Sequence, residues 1–561
     1  MRRIVRRLLL LVPAPLLAAH AAVPPSASVS PAEQTAAATI DAAVLRAHVK
    51  FLASDLLEGR GPATRGDRLA QAYVASQLEA AGLAPAAPEG GWIQKVPLVG
   101  MTPKIPGTVT FAAGSKKLEL ETGADFVAFP GVQQPQARWS DAEVVFVGYG
   151  IVAPEFRWDD FKDADVKGKV LLVMNNDPED DPNLFAGKTR LRYGRWDYKY
   201  EQAAKKGAAG VVIIHTTHSA GYPWQVVQAS YAGERFELPD EGGPRLQIKS
   251  WATEDACRKL AEMGGQNLDR LRSSAEKRDF RPVPLGVRVS LTLENEISRK
   301  DSGNVIGKLA GSDPKLAGEA VLYTAHHDHF GIKEGVRPGQ DAIYNGARDN
   351  ASGCAALLAI ARAYAALPQK PRRSVYFATV TAEEQGLLGS EYLAKHPPLP
   401  VGRIAANINI DGVNIFGRTH DLTMIGLGKS SLDAIVRDLA AAQGRVVKPD
   451  QFPDRGYFYR SDQFNLARVG VPAAYFSEGT DFIGRPAGWG REQIEKWEAT
   501  HYHQPSDEYR DDWDLTGAVE DVRIDFLLGV TVANADAMPE WNPGDEFDSA
   551  RKRALAELQP R

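Results

Sequence analysis

Three apolar runs in this chain end in the same kind of chemistry. EAVLYTA (319–325) runs into HHDH (326–329), SVYFATV (374–380) into TAEEQG (381–386), and IAANINI (404–410) into Asp411 of DGVN. Short, largely apolar, β-favouring runs without alternation suit strands buried on both faces. Between them lie helical patterns such as NASGCAALLAIARAYAAL, so strand, loop and helix repeat from DSGNVIGKL onward. That order predicts an α/β fold with a mixed, mostly parallel sheet flanked by helices. In open sheets of this kind the ligand crevice lies outside the carboxyl ends of the strands. Three strands delivering His, Asp and Glu to one edge therefore predict a site there. GARDNASG adds Asp349 ahead of a helix, and THYHQPSDE adds His501 and His503 late in the chain.

A cysteine framework is excluded by composition. Cys257 and Cys354 are the only cysteines, and Cys354 sits inside an apolar helical run. A disulfide scaffold is ruled out, and any metal site must use histidine and carboxylate. The adjacent Glu383 and Glu384 have a plain alternative reading as acids at the start of a helix, where the dipole favours them.

A length of 561 residues is too much for one core, and a formal net charge of -5 does not suggest nucleic acid as a partner. The first 21 residues, MRRIVRRLLLLVPAPLLAAHA, have basic, apolar and small-x-small parts in the order of a cleavable export signal. Export to periplasm or medium is expected, with no stable membrane span after removal of the signal. Residues 22–38 read as a flexible tether, and 39–97 as helices opening the main domain. Residues 98–292 change to short β-rich runs broken by glycine and proline, an inserted domain. The main domain resumes over 293–540, and 541–561 read as a charged peripheral tail.

AHHDH, GARDNASG, TAEEQGLLGS, NINIDG, RSDQFNLARVGVPA and HYHQPSDE, in this order, resemble the di-zinc exopeptidases of family M28, the aminopeptidase Y family. The helices at 48–83 resemble those that open such domains, and 98–292 resembles a protease-associated (PA) domain. The resemblance implies a zinc-exopeptidase (phosphorylase/hydrolase-like) fold holding two Zn²⁺. It implies that His326 and Asp411 bind one zinc and Glu384 and His503 the other, with Asp349 bridging. Glu383 becomes the general base acting on a metal-bridging hydroxide, and Asp328 a partner that orients His326. The charges agree: two dications balance Asp349, Glu384, Asp411 and a hydroxide.

The paired glutamates then make sense, because adjacent residues at a strand end point different ways and one can ligate while the other faces water. Tyr459, in DRGYFYRSDQF, is the candidate donor to a developing oxyanion. His327 is read as packed or pocket-lining, His329 as cleft-lining or superficial, and His215 and His218 as structural. The expected activity is an aminopeptidase acting on peptides or short proteins. A carboxypeptidase stays open because Arg348, Arg455 and Arg460 lie near the motifs. A non-catalytic peptidase-like ectodomain is the alternative of a different class.

Overall fold

A computed structural model describes residues 29–558 apart from 180, 232, 334, 335 and 338. Residues 1–28, which carry the export pattern and the start of the expected tether, lie outside the described residues.

The strand Ala320–His326 is buried at every position and has parallel neighbours on both sides, Ser374–Val380 and Ile404–Asn409, themselves wholly buried. Register brings His326 opposite Val380 and Thr324 opposite Asn409, so the three strands end at one level. Burial on both faces is the reason these runs read as continuous apolar sequence. Ala473–Glu478 continues the sheet in parallel beside Ile404–Asn409. Beyond it Asp421–Ile425 is antiparallel, and the far edge beside Ser374–Val380 is also antiparallel. The sheet is therefore mixed and mostly parallel, as the sequence predicts. Helix Gly353–Ala365, rich in alanine and buried on nearly every side, lies against the central strand and is covered by Ala42–Leu52 and Thr516–Asn534.

One strand of 27 residues, Val283–Leu309, joins the two halves of the molecule. Its last residues pair with Ser374–Val380, its middle with Ile93–Lys104, and its first part with Gln136–Phe146. Residues 98 and 293 both fall inside these paired strands. The segment between them has its own apolar clusters, one around Phe111, Trp139 and Phe146 and one around Val211, Ile213 and Trp251. Within it Gln136–Phe146, Val170–Met174, Gly210–His215 and Ile248–Thr253 run parallel to one another.

Two expectations are corrected here. Pro31–Ala37, inside the expected tether, is a helix whose Ser30 and Glu33 form a capping box and whose Ala36 and Ala37 are buried. Alanines carry the contact, so no period of large apolar residues announced it. The C-terminal segment is packed rather than peripheral: Trp541 and Phe547 join Phe458 and Phe464 in one cluster, and Arg551 Nη1 donates to Ile404 O.

Candidate metal centre

The site forms where the three central strands stop. His326 is the last residue of its strand. Its Nε2 lies 3.2 Å from Asp349 Oδ1 and 3.2 Å from Asp411 Oδ1. His503 Nε2 lies 3.3 Å from Asp349 Oδ2 and 3.2 Å from Glu384 Oε2. Asp349 thus turns one oxygen toward each histidine. Glu383 Oε2 is 4.0 Å from His326 Nε2, so neighbouring glutamates face opposite halves of the cluster. The His503 and Asp411 side chains are the most exposed of the set, at 27% and 18%, and mark the open face.

Local backbone explains how this density of acids is held. Asp349 leaves helical conformation at φ -109°, ψ 94° before helix Gly353–Ala365 begins. Asp507 fixes that turn by accepting the Arg348 N–H at Oδ1 and the Asp349 N–H at Oδ2, both at 3.0 Å. The Asp328 carboxylate accepts from the backbone N–H of Glu383 at 3.0 Å and of Glu384 at 3.4 Å. His326 Nδ1 is 3.2 Å from the Asp328 carbonyl and 3.7 Å from its carboxylate. The orienting contact to His326 is therefore made by the backbone of Asp328, while its side chain positions the paired glutamates. Ser461 donates to Asp411 Oδ2 at 2.5 Å.

Arg60 was not singled out in the sequence, yet it fastens the loops under the site. Its guanidinium donates to the carbonyls of His327 (2.8 Å), Leu52 and Asn345 (2.6 Å each) and Gly346 (2.9 Å). The preceding Gly59 has φ +66°, and a Cβ there would lie 2.5 Å from the Gly331 carbonyl oxygen.

The remaining histidines separate cleanly. His327 is buried against Asp67, with Nε2 3.0 Å from Oδ1. His329 is also wholly buried, neither superficial nor open to the cleft, with Nδ1 2.6 Å from Glu384 Oε1. Burial, reinforced by His503 and Arg60, lowers its pKa well below the usual range despite Asp349, so the ring is held neutral beside Glu384. His501 turns to Ser506 at 2.9 Å and is away from the cluster.

Tyr459 is corrected. Its hydroxyl donates to Glu546 Oε1 at 2.6 Å inside an aromatic cluster with Phe458 and Phe464. The buried neighbourhood of the phenylalanines pulls the ring there. Tyr475 brings its hydroxyl to 3.5 Å from the Asp411 carbonyl, and Tyr502 is the phenol stacked on His503, with ring centroids 3.7 Å apart. Its place between His501 and His503 in HYHQ was the available signal.

The donor set fits dications. Burial, with Asp349 and Glu383 close by, raises the Glu384 pKa well above normal; Glu383 is raised by burial and by Asp411, against the pull of His326. Burial opposes charge on His326, but Glu383 and Asp411 hold its pKa well above the usual range. So many acids in one dry space need positive charge, and clustered carboxylate and imidazole are ligands that zinc accepts. Two groups have ligand atoms all within 4.8 Å of one another: His326, Glu383 and Asp411, and His329, Asp349 and Glu384.

Comparison with known proteins follows the same segment. Residues 304–527 match the profile of Peptidase family M28. Mouse aminopeptidase NAALADL1 is 34% identical over 142 residues, 24% of this chain and 16% of that protein. The probable glutamate carboxypeptidase AMP1 of Arabidopsis thaliana is 30% identical over 208 residues, 34% of this chain and 26% of that protein. The chain thus spans about a sixth to a quarter of the length of these relatives. The aminopeptidase from Aneurinibacillus sp. strain AM-1 is 20% identical with a TM-score of 0.50, covering 91% of this chain and 97% of that one, a likeness of fold. The family profile lies over the strand-end site, and it is this segment, residues 304–527, that is similar to Peptidase family M28.

Proposed function

We propose that this chain is an exported di-zinc exopeptidase that removes N-terminal residues from peptides. The observation that carries the reading is the meeting of His326, Asp349, Glu384, Asp411 and His503 at 3.2–3.3 Å with Glu383 beside them. In this reading His326 and Asp411 would hold one zinc, Glu384 and His503 would hold the other, and Asp349 would be available to both. When bound, such a pair lowers the pKa of a water and polarises the scissile carbonyl. Glu383 takes the proton of the attacking water on its carboxylate and passes it to the leaving amine. Tyr502 directs its hydroxyl proton at the developing oxyanion, since its oxygen already accepts from Arg460 Nη2 at 3.2 Å. His329 and Asp328 keep the two glutamates in place while the proton moves.

Removal from the N-terminus is favoured in that two of the three arginines that would receive a free carboxylate are committed to acids. Arg348 pairs with Glu478 and Arg455 with Glu498. Arg460, which donates to the Tyr502 hydroxyl at 3.2 Å, has no ion-pair partner among the described residues and is the one a carboxypeptidase would use. A peptidase-like ectodomain without activity is disfavoured by the full set of ligands and base. Export rests on the pattern at 1–21; among the described residues no helix is long and apolar enough to cross a membrane.

The test is mass spectrometry of zinc-loaded digests of paired peptides, one with an acetylated N-terminus and one with an amidated C-terminus. Shortening from a free N-terminus, blocked by acetylation, is expected. Shortening from the C-terminus, blocked by amidation, would replace this reading with a carboxypeptidase.

A further inference from the structure

Away from the metal centre, a cavity of about 270 Å³ opens where two neighbouring parallel strands, Val170–Met174 and Gly210–His215, end. Carboxyl ends of parallel strands are where open sheets take their ligands. The residues immediately beyond the first strand, Asn175, Asn176, Asp177 and Glu179, line one side. Thr216, His218 and Ser219, beyond the second, line the other. Met174, Ile214 and Tyr149 supply apolar surface.

The polar atoms here are short of donors. Asn175 and Asn176 are each only 6% exposed, and the side-chain carbonyl oxygen of both has no hydrogen-bond partner among the described residues. A buried acceptor left unpaired costs about 1–3 kcal/mol, so two side by side need a reason. The cations here are engaged: Lys199 Nζ donates to the carbonyls of Asn176 (2.6 Å) and Tyr193 (2.7 Å), and Arg272, which itself lines the cavity, pairs with Glu254. Burial pushes the Asp177 carboxyl up to about 7 even with Lys199 near, the condition of an acid that a further cation would relieve.

We propose that this cavity binds an organic cation, an ammonium or guanidinium group carried on an aliphatic stem. The head donates to Asn175 Oδ1 and Asn176 Oδ1 and sits beside Asp177 and Glu179, while the stem lies along Met174, Ile214 and Tyr149. A bare metal ion does not suit the space, which is about nine times the volume of a water molecule in the liquid. Nor do Asp177, Glu179 and His218 belong to either grouping of ligand atoms within 4.8 Å of one another. A basic side chain of a bound peptide and a free amine share this chemistry. The inference does not depend on the reaction at the metal centre.

The test is titration calorimetry on the full zinc-loaded chain with Nα-acetyl-arginine amide, Nα-acetyl-norleucine amide, agmatine and calcium chloride. The arginine derivative is expected to bind and the norleucine derivative not. Agmatine binding equally well identifies a free amine as sufficient; preference for the arginine derivative identifies a peptide side chain. Glu179→Gln changes a partly exposed residue whose Oε1 lies 2.9 Å from His218 Nε2, and it should fold normally. It and Asn175→Leu are each expected to weaken binding at least about tenfold. Absence of binding at millimolar concentration, binding unchanged in both variants, or a response to calcium alone overturns the proposal.

Discussion

Replacing Arg60 by alanine removes four hydrogen bonds at once, to the carbonyls of Leu52, His327, Asn345 and Gly346. The side chain is wholly buried, so the Leu52, His327 and Asn345 oxygens lose this partner without free access to water, while Gly346 O keeps the Ala351 N–H at 3.1 Å. At about 1–3 kcal/mol per unpaired buried acceptor the gross loss is about 3–9 kcal/mol. Part is returned because burial works against the guanidinium charge, although Asp328, Asp507 and Asp349 support it. A net loss of about 3–6 kcal/mol is expected, which for a domain of this size lowers the melting temperature by roughly 10 °C. Lysine keeps the charge but concentrates its donors on one atom, so Arg60→Lys should fall between. Differential scanning calorimetry of the metal-loaded chain reads the ordering, and metal analysis after dialysis reads whether the His326–Asp328 and Asn345–Asp349 loops still present their ligands. An alanine variant melting within about 2 °C of the parent would refute the reasoning, as would a lysine variant that restores everything.

Three further outcomes follow from the same geometry. Glu383→Gln should lower kcat by about 10²–10⁴-fold with zinc content unchanged, read by peptide turnover and metal analysis; full activity would remove Glu383 as base. Tyr459→Phe should leave kcat unchanged and cost about 1–2 kcal/mol in a denaturant melt, because Glu546 keeps Lys429 as a partner at 2.9 Å; a fall in kcat with unchanged KM would return Tyr459 to the mechanism. Burial, aided by Arg362, lowers His48 to about 4, so the folded chain resists a proton that the unfolded chain accepts below about 6.5. Stability from this group is present above about 6.5 and is lost as pH falls toward 4, by up to about 3 kcal/mol. His48→Gln, which keeps an acceptor for Tyr73, should flatten that part of the pH-stability curve.

The sequence by itself determined the sheet and the identity of the residues gathered at its edge. Apolar runs at 319–325, 374–380 and 404–410 have nowhere to go but a doubly covered sheet, and their ends carry His326, the paired glutamates and Asp411 wherever the sheet is built. Parallel register then puts those ends at one level, so the cluster was legible before any contact was known. The supporting partners were decided by tertiary structure alone. Arg60 reaches His327 across 267 positions and Asp507 reaches Asp349 across 158, pairings that no local period encodes. The same holds for His329, drawn inside behind Glu384, and for Tyr459, drawn away by Phe458, Phe464 and Glu546. Strand periodicity fixes where a backbone ends; the direction a loop side chain takes depends on which distant donors and apolar faces the finished fold places beside it.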